Sequence, residues 1–182
     1  MYFTRVGIQK IYSKKIFSGK RFSVFIELFT RDNFLVEKEV VDFGEAVAVV
    51  PMLDSERVIL IKQFRAPINK WIYEIPAGKI DDGEDLYEAA RRELIEEIGY
   101  SPKKLEKILS IYTAPGYSNE VLHIFIAQEL VYVGERPEPG ELITREITDL
   151  DAAISKVLNQ DVVDAKTLIG LMMARDYLRE NR

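Results

Sequence analysis

Glu93, Glu96 and Glu97 are the residues most able to do chemistry in this sequence. They lie in the stretch Gly78–Tyr100, GKIDDGEDLYEAARRELIEEIGY. Its pattern predicts a helix, for which Asp85 and Glu88 can form a capping box and Gly99 a natural stop. On a helix turning about 100° per residue, the three glutamates fall within roughly a 100° arc. Glu93 and Glu97 are i, i+4 neighbours, and like charges so placed repel. In projection Glu97 falls between Leu86 and Ala90, at the edge of the apolar face, where an ordinary surface helix carries no charge. One reading is a solvated acidic face. The other is an oxygen-ligand site for a hard divalent cation. Mg²⁺ takes one or two carboxylates and completes its shell with waters and substrate phosphates, so it would turn the repulsion into attraction. The spacing alone leaves both open.

The chain that must position these residues has 182 of them, with 25 Lys and Arg against 30 Asp and Glu, a net charge of −5. A length near that of a single domain predicts one domain, or one domain with an appendage. The mild acidity argues against a general nucleic-acid binder, which would carry a basic face. No apolar run approaches the roughly 18 residues of a membrane helix, and the opening residues do not resemble a secretory signal. There is no Cys. That excludes disulfide scaffolds, thiolate zinc sites and cysteine nucleophiles, and it fits a cytoplasmic protein. The one histidine, His123, sits in the apolar run Val121–Ala127 and reads as a buried strand residue rather than part of a Ser-His-Asp triad.

Residues 7 to 42 read as short strands with a turn at Asp32-Asn33, and they carry too little apolar bulk to bury themselves. Ala46–Val50 and Val58–Phe64 read as strands joined by the turn-like Asp54-Ser55-Glu56. Strands follow the carboxylate helix at Lys107–Tyr112 and Val121–Val133. Gly134–Glu141 (GERPEPGE) is a Pro/Gly/Glu loop. Two helices close the chain, near Leu150–Leu158 and Asp164–Glu180. This interleaving predicts an α/β or α+β domain with a β-rich N-terminal appendage.

Taken in order, Gly78, Glu84, Arg92, Glu93, Glu96, Glu97 and Gly99 resemble the Nudix box: Gly, five residues, Glu, seven residues, then Arg-Glu-apolar-any-Glu-Glu-any-Gly-apolar. The one departure is Tyr100, where a smaller aliphatic is usual; the position packs, and little consequence is expected. The resemblance implies an α/β class fold, the Nudix α/β/α sandwich around a mixed sheet, with the box as loop-helix-loop. It implies hydrolysis, dependent on Mg²⁺ or Mn²⁺, of a nucleoside diphosphate linked to another moiety. It makes Glu93 and Glu97 the main metal ligands, with Glu96 at or near the metal and the Ala77 carbonyl a further ligand. It gives Arg92 and Glu84 the task of orienting loop and helix through an ion pair. The other reading of Arg92 is a surface i, i+4 pair with Glu88 or Glu96.

Two features outside the box resemble the ADP-ribose pyrophosphatase branch of that family. One is Trp71-Ile-Tyr-Glu74-Ile-Pro-Ala77-Gly78, which leads into the box; the other is Pro115-Gly116, with Pro115 lying 16 residues after Gly99. A plain turn also explains Pro115-Gly116. That likeness implies a homodimer in which residues 1–42 form a dimerisation region exchanged between subunits, with 43–182 as the hydrolase domain. It implies that Arg65 and Glu74 serve substrate binding, with Arg65 on the pyrophosphate, and that Lys38 and Glu39 reach the other subunit's ligand. Phe22 is a weaker candidate for stacking on adenine. For the catalytic carboxylate the likeness offers Glu141 on the loop, with Glu135 and Glu138 nearby, or else Glu96 or Glu97. The expected partner is a nucleotide sugar, with neither nucleic acid nor membrane.

Overall fold

The computed structural model describes residues 7–31, 34–135 and 142–181. The Asp32-Asn33 turn, Glu138 and Glu141 therefore lie outside the described residues. The chain divides into two compact units, residues 1–45 with 111–121, and residues 46–110 with 122–182.

The first unit is built on an antiparallel sheet of β1 (Gln9–Ser18), β2 (Ser23–Arg31) and β3 (Phe34–Asp42), in that order. β1 is exposed along its whole length, and Ile11, Ile16, Phe17, Phe34 and Leu35 lie open to solvent. Glu27 on β2 is the buried side chain there, tied to Lys10 at 2.9 Å and Ser13 at 3.1 Å. Residues from mid-chain join this unit: Val41 N–H donates to Tyr117 O (2.7 Å), and Asn119 bridges the Phe43 amide and the Asp42 carboxylate.

The second unit is a sandwich whose middle holds two sheets. One sheet orders β7 (Ala77–Lys79), β4 (Glu45–Pro51), β9 (Val121–Tyr132) and β8 (Tyr100–Tyr112); the other orders β10 (Ile143–Asp149), β5 (Arg57–Arg65) and β6 (Lys70–Glu74). Side chains alternate between faces. Val47, Val49, Ile59, Ile61, Phe125 and Ala127 pack with Ala89, Ala90, Leu94 and Ile98 of α1 (Leu86–Ile98). On the opposite side lie α2 (Leu150–Leu158) and α3 (Ala165–Glu180), packed on each other and on β5, β10 and β6. Gly170 lets α3 settle: a methyl there would lie 2.8 Å from Ile75 Cδ1 and 3.1 Å from Val50 Cγ2. This is the α/β/α arrangement expected.

Asp85 caps α1 by accepting from Tyr87 N–H at 2.8 Å, and Gly99 ends it at φ 75°. The expected capping box does not close, because Glu88 turns outward toward Arg91 at 4.0 Å. The turn before the helix is instead closed by Glu84, whose carboxylate accepts from Asp81 N–H (3.1 Å) while its own amide donates to Asp81 O (3.0 Å). Tyr100 packs against the core and meets Tyr132 edge-on at 5.2 Å, so the departure from the box is absorbed by packing.

Candidate active site

Arg92 is the hub of the carboxylate helix. Its Nε and Nη2 donate to the two oxygens of Glu84 at 2.8 and 3.0 Å, its Nη1 to Glu93 at 2.6 Å and Glu96 at 3.0 Å, and Nη2 also to the Lys79 carbonyl at 2.9 Å. The i, i+4 pair with Glu96 is therefore one of several bonds, and the fork to Glu84 fastens loop to helix. The Arg92 bond holds the Glu84 carboxyl below the ordinary glutamate range, and that same bond pushes the Arg92 guanidinium further up.

Glu93 and Glu97 are buried, 7% and 5% exposed, which removes the solvated-face reading for both. The surface that covers them is β7, paired antiparallel with β4 through Ala48 and Ala77. Glu97 Oε2 accepts from Ala77 N–H at 3.0 Å. The Glu93 carboxylate lies so tightly over Gly78 that a Cβ there would overlap it, so any side chain at the first residue of the box would displace that carboxylate.

These oxygens are the donor set a hard cation wants. Among the described residues no three acidic or histidine side chains already converge as a metal cage. Mg²⁺ needs few protein carboxylates, because water and phosphate oxygens complete its shell. Three carboxylates meet at the Arg92 guanidinium and a fourth, Glu97, lies on the same helix face, which gathers oxygen donors in one place. The residues present fit a divalent cation.

A second ionic cluster lies where β5, β6 and α3 meet. Glu74 is fully buried, and Arg65 grips it through Nε and Nη2, both at 2.6 Å. Lys166 Nζ donates to the same carboxylate and, at 3.0 Å, to Asp164. Burial pulls the Glu74 carboxyl up, but the Arg65 hydrogen bonds and the Lys166 charge outweigh it and leave Glu74 below its ordinary value. Arg65 is raised, first by its Glu74 bond, with Glu97 among its electrostatic neighbours. Arg65 and Glu74, both expected at the substrate, are thus brought together, with both Glu74 oxygens bonded to Arg65 and Lys166. Sequence reasoning missed Lys166 and Asp164; the only local trace is an acidic cap at the start of a helix.

Lys38 and Glu39 are exposed on β3, in register with Glu27 and Ile26. Pro115 and Gly116 sit in a turn closed by Tyr117 and Ser118 N–H groups on Ala114 O. Phe22 is partly exposed, its ring 5.8 Å from that of Phe17. Glu135 pairs with Arg145, which also donates to the Ile98 carbonyl at the end of α1 (2.8 Å). His123 is buried and shares a 2.8 Å hydrogen bond with Ser110, as expected of a strand histidine.

A two-sheet sandwich that presses a glutamate-rich helix onto a short glycine-bearing strand is the architecture of Nudix proteins, and residues 42–169 match the NUDIX domain. The chain belongs to the Nudix family. It is 42% identical over 165 residues to the ADP-ribose pyrophosphatase of Bacillus subtilis, covering 88% of this chain and 89% of that one. It is 32% identical to the methanol dehydrogenase activator of Bacillus methanolicus, with 88% and 89% covered. It is 33% identical to the GDP-mannose pyrophosphatase of Cronobacter sakazakii, with 89% and 90% covered. A crystal structure of an ADP compounds hydrolase superimposes with a TM-score of 0.84 over 96% of this chain and 95% of that one; at 24% identity it bears on the fold alone.

Proposed function

We propose that this protein hydrolyses the pyrophosphate bond of ADP-ribose to AMP and ribose 5-phosphate, using Mg²⁺ or Mn²⁺. The observation that carries the reading is the pair of buried carboxylates, Glu93 and Glu97, set against β7 on a helix that keeps every fixed residue of the box. The similarity to a full-length ADP-ribose pyrophosphatase supports the substrate.

Glu93 and Glu97, with Glu96 and the Ala77 carbonyl, would hold the cation. When bound, such an ion neutralises phosphate charge and acidifies a coordinated water. Arg92 and Glu84 keep the helix and loop from shifting when phosphate arrives. Arg65 offers its guanidinium to a pyrophosphate oxygen, for which the planar fork is suited. Glu96, Glu97 or Glu141 takes the proton of the attacking water. Pro115 and Gly116 shape the loop beside the substrate. Residues 1–42 act as a dimerisation region, exchanged between subunits, that carries Lys38 and Glu39 to the partner's ligand. The apolar side chains left open on β1 and β3 support that role. Among the described residues no helix is long and apolar enough to cross a membrane, and we place the protein in the cytoplasm.

A second reading keeps the chemistry and changes the substrate to another nucleoside diphosphate sugar. The relative named GDP-mannose pyrophosphatase favours it. A non-catalytic ligand sensor would be expected to lose box carboxylates, and this chain keeps them. The test is AMP release from ADP-ribose with Mg²⁺, with GDP-mannose and UDP-glucose in parallel. Preferred turnover of ADP-ribose supports the first reading. Preference for another sugar nucleotide moves the substrate. No hydrolysis with Mg²⁺ or Mn²⁺ ends the enzymatic reading.

A further inference from the structure

We propose that Lys166 is a positioning residue for this reaction: by sharing the buried carboxylate of Glu74, it holds Arg65 with one guanidinium edge free for the substrate diphosphate. The inference rests on the reading above that the substrate is a nucleoside diphosphate derivative. Arg65 commits Nε and Nη2 to Glu74. Its Nη1 has no hydrogen bond among the described residues, and the side chain is 31% exposed. A carboxylate facing a single guanidinium would cancel the charge a diphosphate needs. Lys166, 17% exposed, divides that carboxylate between two cations. Asp164 offsets part of the Lys166 charge, but its Oδ2 also accepts from Thr167 N–H (3.0 Å) and Thr167 Oγ1 (2.6 Å).

The same helical turn holds the backbone as well. Thr167 Oγ1 accepts from Ile75 N–H at 3.0 Å, and two residues further along Ala77 N–H donates to Glu97. The first turn of α3 therefore fixes Arg65 through Glu74, and the β7 approach to the box through Ile75, in one frame. Ion pairs this enclosed lose little to solvent and hold geometry well.

The experiment is steady-state kinetics of Lys166→Met and Lys166→Arg on the nucleotide sugar that the wild type prefers, with melting temperatures alongside. Binding of ADP-ribose to metal-free protein by calorimetry reads the same contact without turnover. Lys166→Met is expected to raise KM and to weaken metal-free binding about tenfold, the worth of one charge-assisted hydrogen bond, with kcat within about twofold. Lys166→Arg, which keeps the charge, is expected to restore both. If Lys166→Met does not fold, Lys166→Gln, which still donates but carries no charge, takes its place. Wild-type KM and binding in the charge-removing variant, a fall in kcat at unchanged KM, or failure of the folded arginine variant to restore KM would each overturn the inference. A wild type that turns over no nucleotide sugar removes the enzymatic reading, and the calorimetric arm still tests the Lys166 contact.

Discussion

The two ionic clusters of the hydrolase unit have opposite charge logic. Around Arg92 one cation serves three carboxylates, and a fourth, Glu97, lies on the same helix. Around Glu74 one carboxylate serves two cations. The first gathers carboxylate oxygens, and the second pairs two cations with two carboxylates and leaves Arg65 Nη1 without a bond among the described residues. A metal-bound diphosphate asks for both, a place for the cation and a place for the phosphate oxygens. The two clusters also differ in reach. The Arg92 cluster is confined to residues 79–96, whereas the Glu74 cluster spans residues 65–166.

The largest effect is expected of Glu97→Gln, which removes negative charge from the carboxylate helix while keeping shape and the acceptor for Ala77 N–H. Turnover is expected to fall on the order of 10³-fold, with melting temperature and circular dichroism unchanged. Activity within tenfold of wild type would show that Glu97 holds no part of the reaction.

The converse change is Glu74→Gln, which leaves Arg65 and Lys166 facing each other without their anion. A cost of about 3 kcal/mol in unfolding free energy is expected, because breaking an enclosed ion pair strands the remaining charge. The pH dependence has a definite sign. The folded-state value of Glu74 lies below its unfolded value, about 4.3. Its contribution is therefore complete above that unfolded value and is lost as pH falls through the lower, folded one. Urea unfolding of the wild type should weaken over that acid interval more steeply than that of Glu74→Gln; parallel acid limbs would refute the assignment.

That difference in reach also explains what the sequence showed. The box is local: seven residues at fixed spacing on one loop and helix, so Glu84, Arg92, Glu93, Glu96 and Glu97 could be found together. Lys166 sits in the first turn of a distant helix and looks like any exposed lysine until β5, β6 and α3 meet. Strand extents failed for a physical reason too. β8 runs Tyr100–Tyr112, longer than the Lys107–Tyr112 expected, because Pro102, Lys103 and Lys104 break the apolar pattern. Such residues are tolerated there because β8 lies at the edge of its sheet. β4 and β5 look like a hairpin around Asp54, yet they belong to different sheets, with an isolated bridge between Met52 and Val58 at the turn. The helices α2 and α3 were legible because caps and apolar period agree: Asp149 and Asp164 both accept from first-turn amides.

A smaller effect sharpens the charge argument without chemistry. If the carboxylates around Arg92 hold the cation, Mg²⁺ should stabilise the folded chain. At a hundredfold excess over its dissociation constant, melting should rise roughly 5 to 10 °C. A chelator should reverse the rise, and Glu93→Gln should abolish it. Glu74→Gln should retain it, because its cluster supplies no metal oxygen. A rise that persists in Glu93→Gln would place the ion elsewhere.

The smallest expected effect is at His123, a buried strand residue outside both clusters. Its Nδ1 is bonded to Ser110 on the neighbouring β8, and its neighbours Leu122 and Ile124 are core residues. His123→Gln keeps a polar atom near Ser110, so about 1 kcal/mol of stability should be lost and kcat/KM should stay within about twofold. If the chemistry rests on the carboxylates around Arg92 and on the Arg65 guanidinium, a buried imidazole in neither cluster takes no part in it. A hundredfold loss in a folded His123→Gln enzyme would mean that a third group takes part, and that the division into two charge-complementary sites omits the residue handling the proton.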